Sequence, residues 1–179
     1  MPAPYMSETA KVRELPHVMN YIKGEVLDYG CGGDKITPTA LGLDGRALPG
    51  VDIVVPDLEH PTGDLILELV HRFDVVYSSH FLEHTLNPRE MVRMWYELLA
   101  RNGKLVLYLP DGDYYSNEGN PEHMLDIKYK EFLFWFRRNF CGEGKNYKGE
   151  HLPKFFNIRT HGMDVGDDRY SFYVIAQVV

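Results

Sequence analysis

The sequence predicts an α/β three-layer sandwich: a mainly parallel seven-stranded sheet that ends in a C-terminal antiparallel hairpin. Three observations predict it. Short runs rich in β-branched residues, apolar on consecutive positions, alternate with helical patterns, as in parallel strands covered on both faces. One such run breaks into a glycine-rich bend at Tyr29-Gly30-Cys31-Gly32-Gly33. Two strand-like runs close the chain, separated by turn residues.

Taken in order, Ser7–Ile22 reads as helical, with Pro16 kinking or restarting it. Glu25–Tyr29, Leu41–Asp44, Val51–Val55, Phe73–Ser78 and Lys104–Leu109 read as strands, and Asp64–Arg72 as a short helix. Asn87-Pro88 opens a longer helix, with a capping side chain followed by proline at the first helical position. Met91, Met94, Trp95, Leu98 and Leu99 recur there at helical spacing, and Gly103 is read as the stop. Tyr129, Phe132, Leu133, Phe136 and Phe140 form the apolar face of a helix over Lys128–Phe140, closed by Gly142. Phe155–Thr160 and Tyr170–Val178 make the hairpin, with His161-Gly162 and Gly166-Asp167-Asp168 as its turn material. The organisation is one domain: a helical segment over 1–22, a cofactor-binding core over 23–112, and an acceptor-side segment with the hairpin over 113–179.

A chain of 179 residues suits a single core, and 44% hydrophobic with 25% charged residues is the mix of a globular protein. The formal net charge of -7 argues against a nucleic-acid partner. Lys128, Lys130, Arg137, Arg138, Lys145 and Lys148 are scattered and read as a solvated face. No apolar run approaches the roughly 20 residues needed to span a bilayer, and Met1–Ala10 lacks the pattern of a secretory signal. Two cysteines, Cys31 and Cys141, without such a signal imply reduced thiols and a cytoplasmic setting.

The chemistry is concentrated in Val26-Leu27-Asp28-Tyr29-Gly30-Cys31-Gly32-Gly33-Asp34. Glycine lets the backbone bend sharply and lets a ligand approach where a Cβ would stand, at the carboxyl end of a strand where open α/β sheets bind ligands. A dinucleotide fingerprint needs a third glycine where this chain has Lys35. Asp28 at the strand end would repel a pyrophosphate but attract the ammonium of a methionine moiety. Asp44 ends the second strand, where a carboxylate can accept from both hydroxyls of a ribose. Asp57 closes the third, within reach of an adenine amino group. Each acid alone reads as a turn or cap; three acids at three successive strand ends point to S-adenosylmethionine.

Asp28-Tyr29-Gly30-Cys31-Gly32 resembles the first motif of class I (Rossmann-like) S-adenosylmethionine-dependent methyltransferases. Phe73–His84 resembles their fourth-strand segment, and Arg101–Leu105 through Leu109-Pro110-Asp111 the stretch around their fifth strand. The set is similar to small bacterial and phage, type-11-like enzymes of glycan or natural-product tailoring. The resemblance covers about residues 20–112. It implies that Asp28, Gly30, Cys31 and Gly32 surround the methionine moiety, that Asp44 holds the ribose, that Asp57 and Leu58 border the adenine, and that Ser78 and Ser79 lie near the methionine end. S-adenosylhomocysteine is the implied product. Asp34 replaces the usual third glycine and Asn102-Gly103 the usual double glycine. Only Lys35–Ala40 separates the glycine bend from the second strand. A loop is therefore expected in place of the first helix, leaving a more open site that a neighbour, as in a homodimer, would complete.

A base is needed when the acceptor is a hydroxyl or an ammonium. His80 and His84, just past the fourth strand, are the catalytic candidates, with His80 expected to reach furthest into the cleft. His80, Glu83 and His84 at i, i+3 and i+4, with His123, could hold a divalent metal, an arrangement similar to metal-dependent small-RNA 2′-O-methyltransferases, which carry an acid at the place of His80. The reading adopted is the plainer one: Glu83 and His84 brace a helix start, and no metal is assigned. Tyr114, Tyr115, His123 and the Lys145–His151 loop are expected to overhang the acceptor site. The expected function is methyl transfer to an oxygen or nitrogen of a small molecule or glycan. The alternatives are a non-catalytic cofactor-binding subunit or regulator, and an RNA-directed methyltransferase.

Overall fold

A computed structural model describes residues 7–115, 120, 122–166 and 169–179. The elements are α1 (Glu8–Arg13), α2 (Pro16–Met19), β1 (Val26–Tyr29), β2 (Leu41–Asp44), β3 (Ile53–Val54), α3 (Gly63–Leu69), β4 (Phe73–Ser79), a 3-10 turn (Leu82–His84), α4 (Pro88–Leu98), β5 (Leu99–Pro110), α5 (Tyr129–Phe140), β6 (Phe156–Gly166) and β7 (Arg169–Val178). The strands form one sheet in the order β3-β2-β1-β4-β5-β7-β6. The first five are parallel, and β7 joins β5 and β6 antiparallel. The predicted sheet and its closing hairpin are both present.

Alternation along the strands sorts the core into two layers. Leu27, Tyr29, Val76, Leu105 and Leu107 face one side, where Trp95 and Leu98 of α4 and Phe132, Phe136 and Phe140 of α5 cover them. Val26, Val75, Tyr77, Val106 and Tyr108 face the other. There the cover is thin: Val12 of α1, Val18 of α2, and Ile36 and Ala40 of the loop joining β1 to β2. That connection has no helix, as its length predicts. Ser7 caps α1 by accepting from Ala10 N at 3.0 Å. Pro16 begins α2 rather than kinking a continuous helix.

Four local expectations are corrected. Asn87 makes no side-chain capping bond; the turn before α4 is held by Glu59, whose carboxylate accepts from Leu86 N and Asn87 N at 3.0–3.1 Å. Gly103 does not end α4, which stops at Leu98 and runs straight into β5. The glycine sits at a register shift between β4 and β5, where an added Cβ would lie 2.8 Å from Ala100 O and 3.0 Å from Phe73 O. His161-Gly162 is strand, paired with Val174 and Tyr173. A Cβ at Gly162 would meet the Tyr173 hydroxyl at 2.7 Å, so the glycine makes room for that ring. Gly166 ends β6; Asp167-Asp168 lie outside the described residues. Finally, the Lys145–His151 loop does not overhang the site. It precedes Phe156, which pairs with Val178 beside the start of the parallel strands, the end of the sheet opposite the glycine bend.

Candidate functional site

The glycine bend is built by backbone. Gly30 N and Cys31 N both donate to Leu43 O, at 2.8 and 3.1 Å, so the bend is folded onto the end of β2. Gly30 and Gly32 take φ of +74° and +56°, the left-handed region that favours glycine. At Gly30 a Cβ would stand 2.9 Å from the Phe81 ring. At Gly32 it would meet nothing within 4 Å, which leaves an open cradle. Asp44, almost fully buried, closes the bend: Oδ2 accepts from Gly32 N at 2.8 Å and Oδ1 from Arg46 N at 3.0 Å. Glycine bend and second-strand acid are thus one hydrogen-bonded unit.

Asp28 and Asp34 hold the bend from behind. Asp28 Oδ2 accepts from Ile36 N at 2.6 Å in a buried setting, and burial lifts its carboxyl to about 7. Asp34, where a third glycine is usual, takes both guanidinium nitrogens of Arg13 at 2.8 Å and the Ser7 hydroxyl. This pairing holds its carboxyl below the usual range. The departure from the glycine pattern is therefore a docking point for α1. Burial, with Asp28 and Asp44 adding, pushes the Cys31 thiol up to about 12 and keeps it protonated. Cys31 and Cys141 are both free thiols.

Beside the bend lies a cavity of about 250 Å³ lined by Gly45, Pro56, Asp57, Leu58, Glu59, Phe81, His84 and Thr85. Leu58 is fixed there because its carbonyl accepts from Tyr29 OH at 2.6 Å. Asp57 is exposed and accepts from Glu59 N at 3.0 Å and His60 N at 3.2 Å. Its carboxyl is held below the ordinary range by the His60 side chain first. Ser78 is fully buried and donates to Tyr29 O at 2.9 Å, bracing β4 against β1. Ser79, half-buried, ends β4.

Past β4 the backbone turns through His80 at φ +48°, a strained setting for a non-glycine residue. Its ring lies near Tyr108 and Tyr170 and its Nε2 is 2.9 Å from Ser171 Oγ. Burial, then the charges of His123, Lys11 and His84, depress it to about 3, so it is neutral at pH 7. Glu83 is fully buried, and burial with nearby Glu8 raises it to about 8. Three imidazoles surround its Oε1: His80 Nδ1 at 3.6 Å, His84 Nε2 at 3.9 Å and His123 Nε2 at 4.0 Å. His84 alone among them also lines the cavity beside the glycine bend. The fold thus brings Asp28, Gly30, Cys31, Gly32 and Asp44 together, places Asp57, Leu58 and His84 on the adjoining cavity, and sets His80 behind the fourth-strand turn.

Several residues of this end of the sheet escape sequence reasoning. Ser171 and Tyr170 arrive through β7, whose antiparallel register sets Ser171 opposite Pro110. They meet Tyr115, which the sequence does point to: it stacks on Tyr170 at 4.5 Å and stands 5.5 Å from His123. Glu8 reaches His80 Nε2 at 3.5 Å from α1. The only signal for these contacts was tertiary.

A family model described as a methyltransferase domain matches residues 8–159. The chain is 27% identical to a ubiquinone biosynthesis O-methyltransferase of Citrobacter koseri, over 86% of this chain and 76% of that one. Its fold is similar to that of an N1-methyltransferase of Burkholderia thailandensis solved with 1,6-didemethyltoxoflavin and S-adenosylhomocysteine (TM-score 0.66, 12% identity, 96% of this chain and 78% of that one). It is likewise similar to an S-adenosylmethionine-dependent methyltransferase of Archaeoglobus fulgidus (TM-score 0.57, 17% identity, 94% of each chain). The chain belongs to the methyltransferase-domain family and has the class I fold of S-adenosylmethionine-dependent methyltransferases.

Proposed function

We propose that this methyltransferase acts on an oxygen or nitrogen of a small molecule or glycan. The observation that carries the proposal is the run of proton-accepting side chains set past β4, reached through His84 from the cavity beside the glycine bend. A hydroxyl or ammonium acceptor must lose a proton, and a side chain at that place can receive it.

The residues fit S-adenosylmethionine on two grounds. The open cradle at Gly32 accepts close approach, and the buried Asp44 carboxylate beside it can hold sugar hydroxyls. Gly30, Cys31 and Gly32 would hold the methionine portion by backbone, with Asp28 bracing the bend beneath them through Ile36 N. Asp57 and Leu58 would border the base, and Ser78 and Ser79 would keep the end of β4 in place beside the methionine end. When bound, the cofactor supplies an electrophilic methyl group and departs as S-adenosylhomocysteine. This chain's contribution is placement of the acceptor close and in line, which carries much of the acceleration, and receipt of its proton by His84, which lines the cavity, rather than by His80, whose burial makes it a poor base.

Incubating the protein with methyl-labelled cofactor and fractionated cell extract tests the reading. Label is expected in the low-mass or glycan fraction. Label in RNA, or cofactor binding with no transfer to any fraction, would replace it with the RNA-directed or the non-catalytic alternative.

A further inference from the structure

We infer that Glu83, His84 and His123 form a binding site for one divalent transition-metal ion at the acceptor end of the cleft. From sequence alone this group is a structural brace. The structure gives a brace nothing to hold: neither carboxylate oxygen of the fully buried Glu83 has a hydrogen-bond partner among the described residues. A buried carboxyl group whose oxygens find no partner is costly in either protonation state, and a bound cation would offset that cost by holding it as a carboxylate.

The neighbouring groups are arranged as ligands. One ligand-type atom from each of Glu83, His84 and His123 lies within 4.8 Å of the others. His84 Nδ1 is 3.0 Å from Glu122 O. A carbonyl only accepts, so Nδ1 carries the proton and Nε2, the nitrogen facing Glu83, presents a lone pair. Orientation of an imidazole by a carbonyl on its far nitrogen is the usual support of a metal-bound histidine. His123 is clamped into place as well. The Glu83 carbonyl accepts from both Met124 N at 2.8 Å and Leu125 N at 3.0 Å, which ties the segment carrying His123 to the 3-10 turn carrying the other two. The His123 side chain is 5% exposed and that of His84 31%. The site is therefore closed on the protein side and open toward the cavity that His84 lines.

Distances allow closure. Ligand atoms about 2.1 Å from a tetrahedral ion lie roughly 3.4 Å apart. The two imidazole nitrogens stand 3.9 and 4.0 Å from Glu83 Oε1, so side-chain shifts of under an ångström suffice. Two imidazoles and one carboxylate suit zinc or manganese, whereas magnesium and calcium prefer all-oxygen sets. Three protein ligands leave a coordination position open. Given the methyl transfer proposed above, that position would take an acceptor hydroxyl and lower its pKa; His84, its lone pair on the ion, would then not receive the proton, which would pass to solvent. The acceptor atom would then be oxygen.

The test is calorimetric titration of chelator-stripped protein with zinc and, separately, manganese. One ion per chain is expected, at least tenfold weaker in Glu83→Gln, His84→Ala and His123→Ala and unchanged in His151→Ala, which lies at the opposite end of the sheet. His84 is partly exposed, so its variant carries the test if a buried substitution does not fold. S-adenosylhomocysteine is titrated in parallel into the same stripped samples. Cofactor heat with no metal heat, or metal binding equal in all four variants, would overturn the site and leave the cofactor reading standing. Metal heat without cofactor heat would do the reverse.

Discussion

Asp44 shows what one carboxylate does at the residue scale. It satisfies Gly32 N and Arg46 N at once, so asparagine, equal in size, must set an amide NH₂ against one backbone donor. Hydrogen bonds to a charged group contribute about 1.5–3 kcal/mol, and Asp44→Asn is expected to weaken S-adenosylhomocysteine binding by roughly tenfold or more in calorimetry. Unchanged affinity would remove Asp44 from the cofactor site. Asp28 gives a pH signature. Its carboxyl is lifted from 3.8 to about 7 by burial. Between those values the unfolded chain releases the proton and the native chain keeps it. This group's contribution is fully present below about pH 4 and is lost as pH rises to 7. Asp28→Asn is expected to flatten that part of the thermal-melting profile; a profile of unchanged slope would show that the group titrates normally. These acids were legible because each ends an apolar run. Ser78 was not, because nothing local says that its hydroxyl turns inward to Tyr29 O.

At the scale of elements, the strands were readable where burial on both faces makes them apolar throughout, as in β1, β2 and β4. Two of the four corrections share one cause: glycine makes space where the sequence pattern suggests punctuation. Gly103 relieves a register shift, and Gly162 receives the Tyr173 ring. Gly162→Ala is therefore expected to destabilise the fold by about 1–3 kcal/mol, since the ring must move; urea unfolding would measure it, and no change would mean that the ring yields freely. Gly30→Ala adds a left-handed backbone cost of roughly 1–2 kcal/mol to a clash with Phe81. A melting temperature lower by roughly 2–8 °C is expected, together with weaker cofactor binding, because Phe81 lines the cavity. A variant that melts and binds like the parent would show that the bend tolerates a side chain.

For the whole molecule, the uneven cover of the sheet matters most. One face carries α4 and α5, of 11 and 12 residues; the other carries α1 and α2, of 6 and 4. Arg13 on Asp34 joins the thin layer to the glycine bend, and being half-exposed contributes on the order of 1 kcal/mol or less. Amide exchange is expected to be faster over 8–22 than over 88–98 and 129–140, and to slow there when cofactor binds. Arg13→Ala should speed exchange across 30–36; equal rates in both layers would refute the asymmetry. The short spacing between β1 and β2 announces the missing first helix but not the arginine that compensates for it, since Arg13 and Asp34 meet only after folding. The place of β7 has a consequence for synthesis. Inserted between β5 and β6, it delivers Tyr170 and Ser171 to the side of His80. A nascent chain from which those residues have not yet emerged is left with an unpaired β5 edge, so ribosome-bound intermediates would present a sticky strand and no working catalyst until the hairpin emerges.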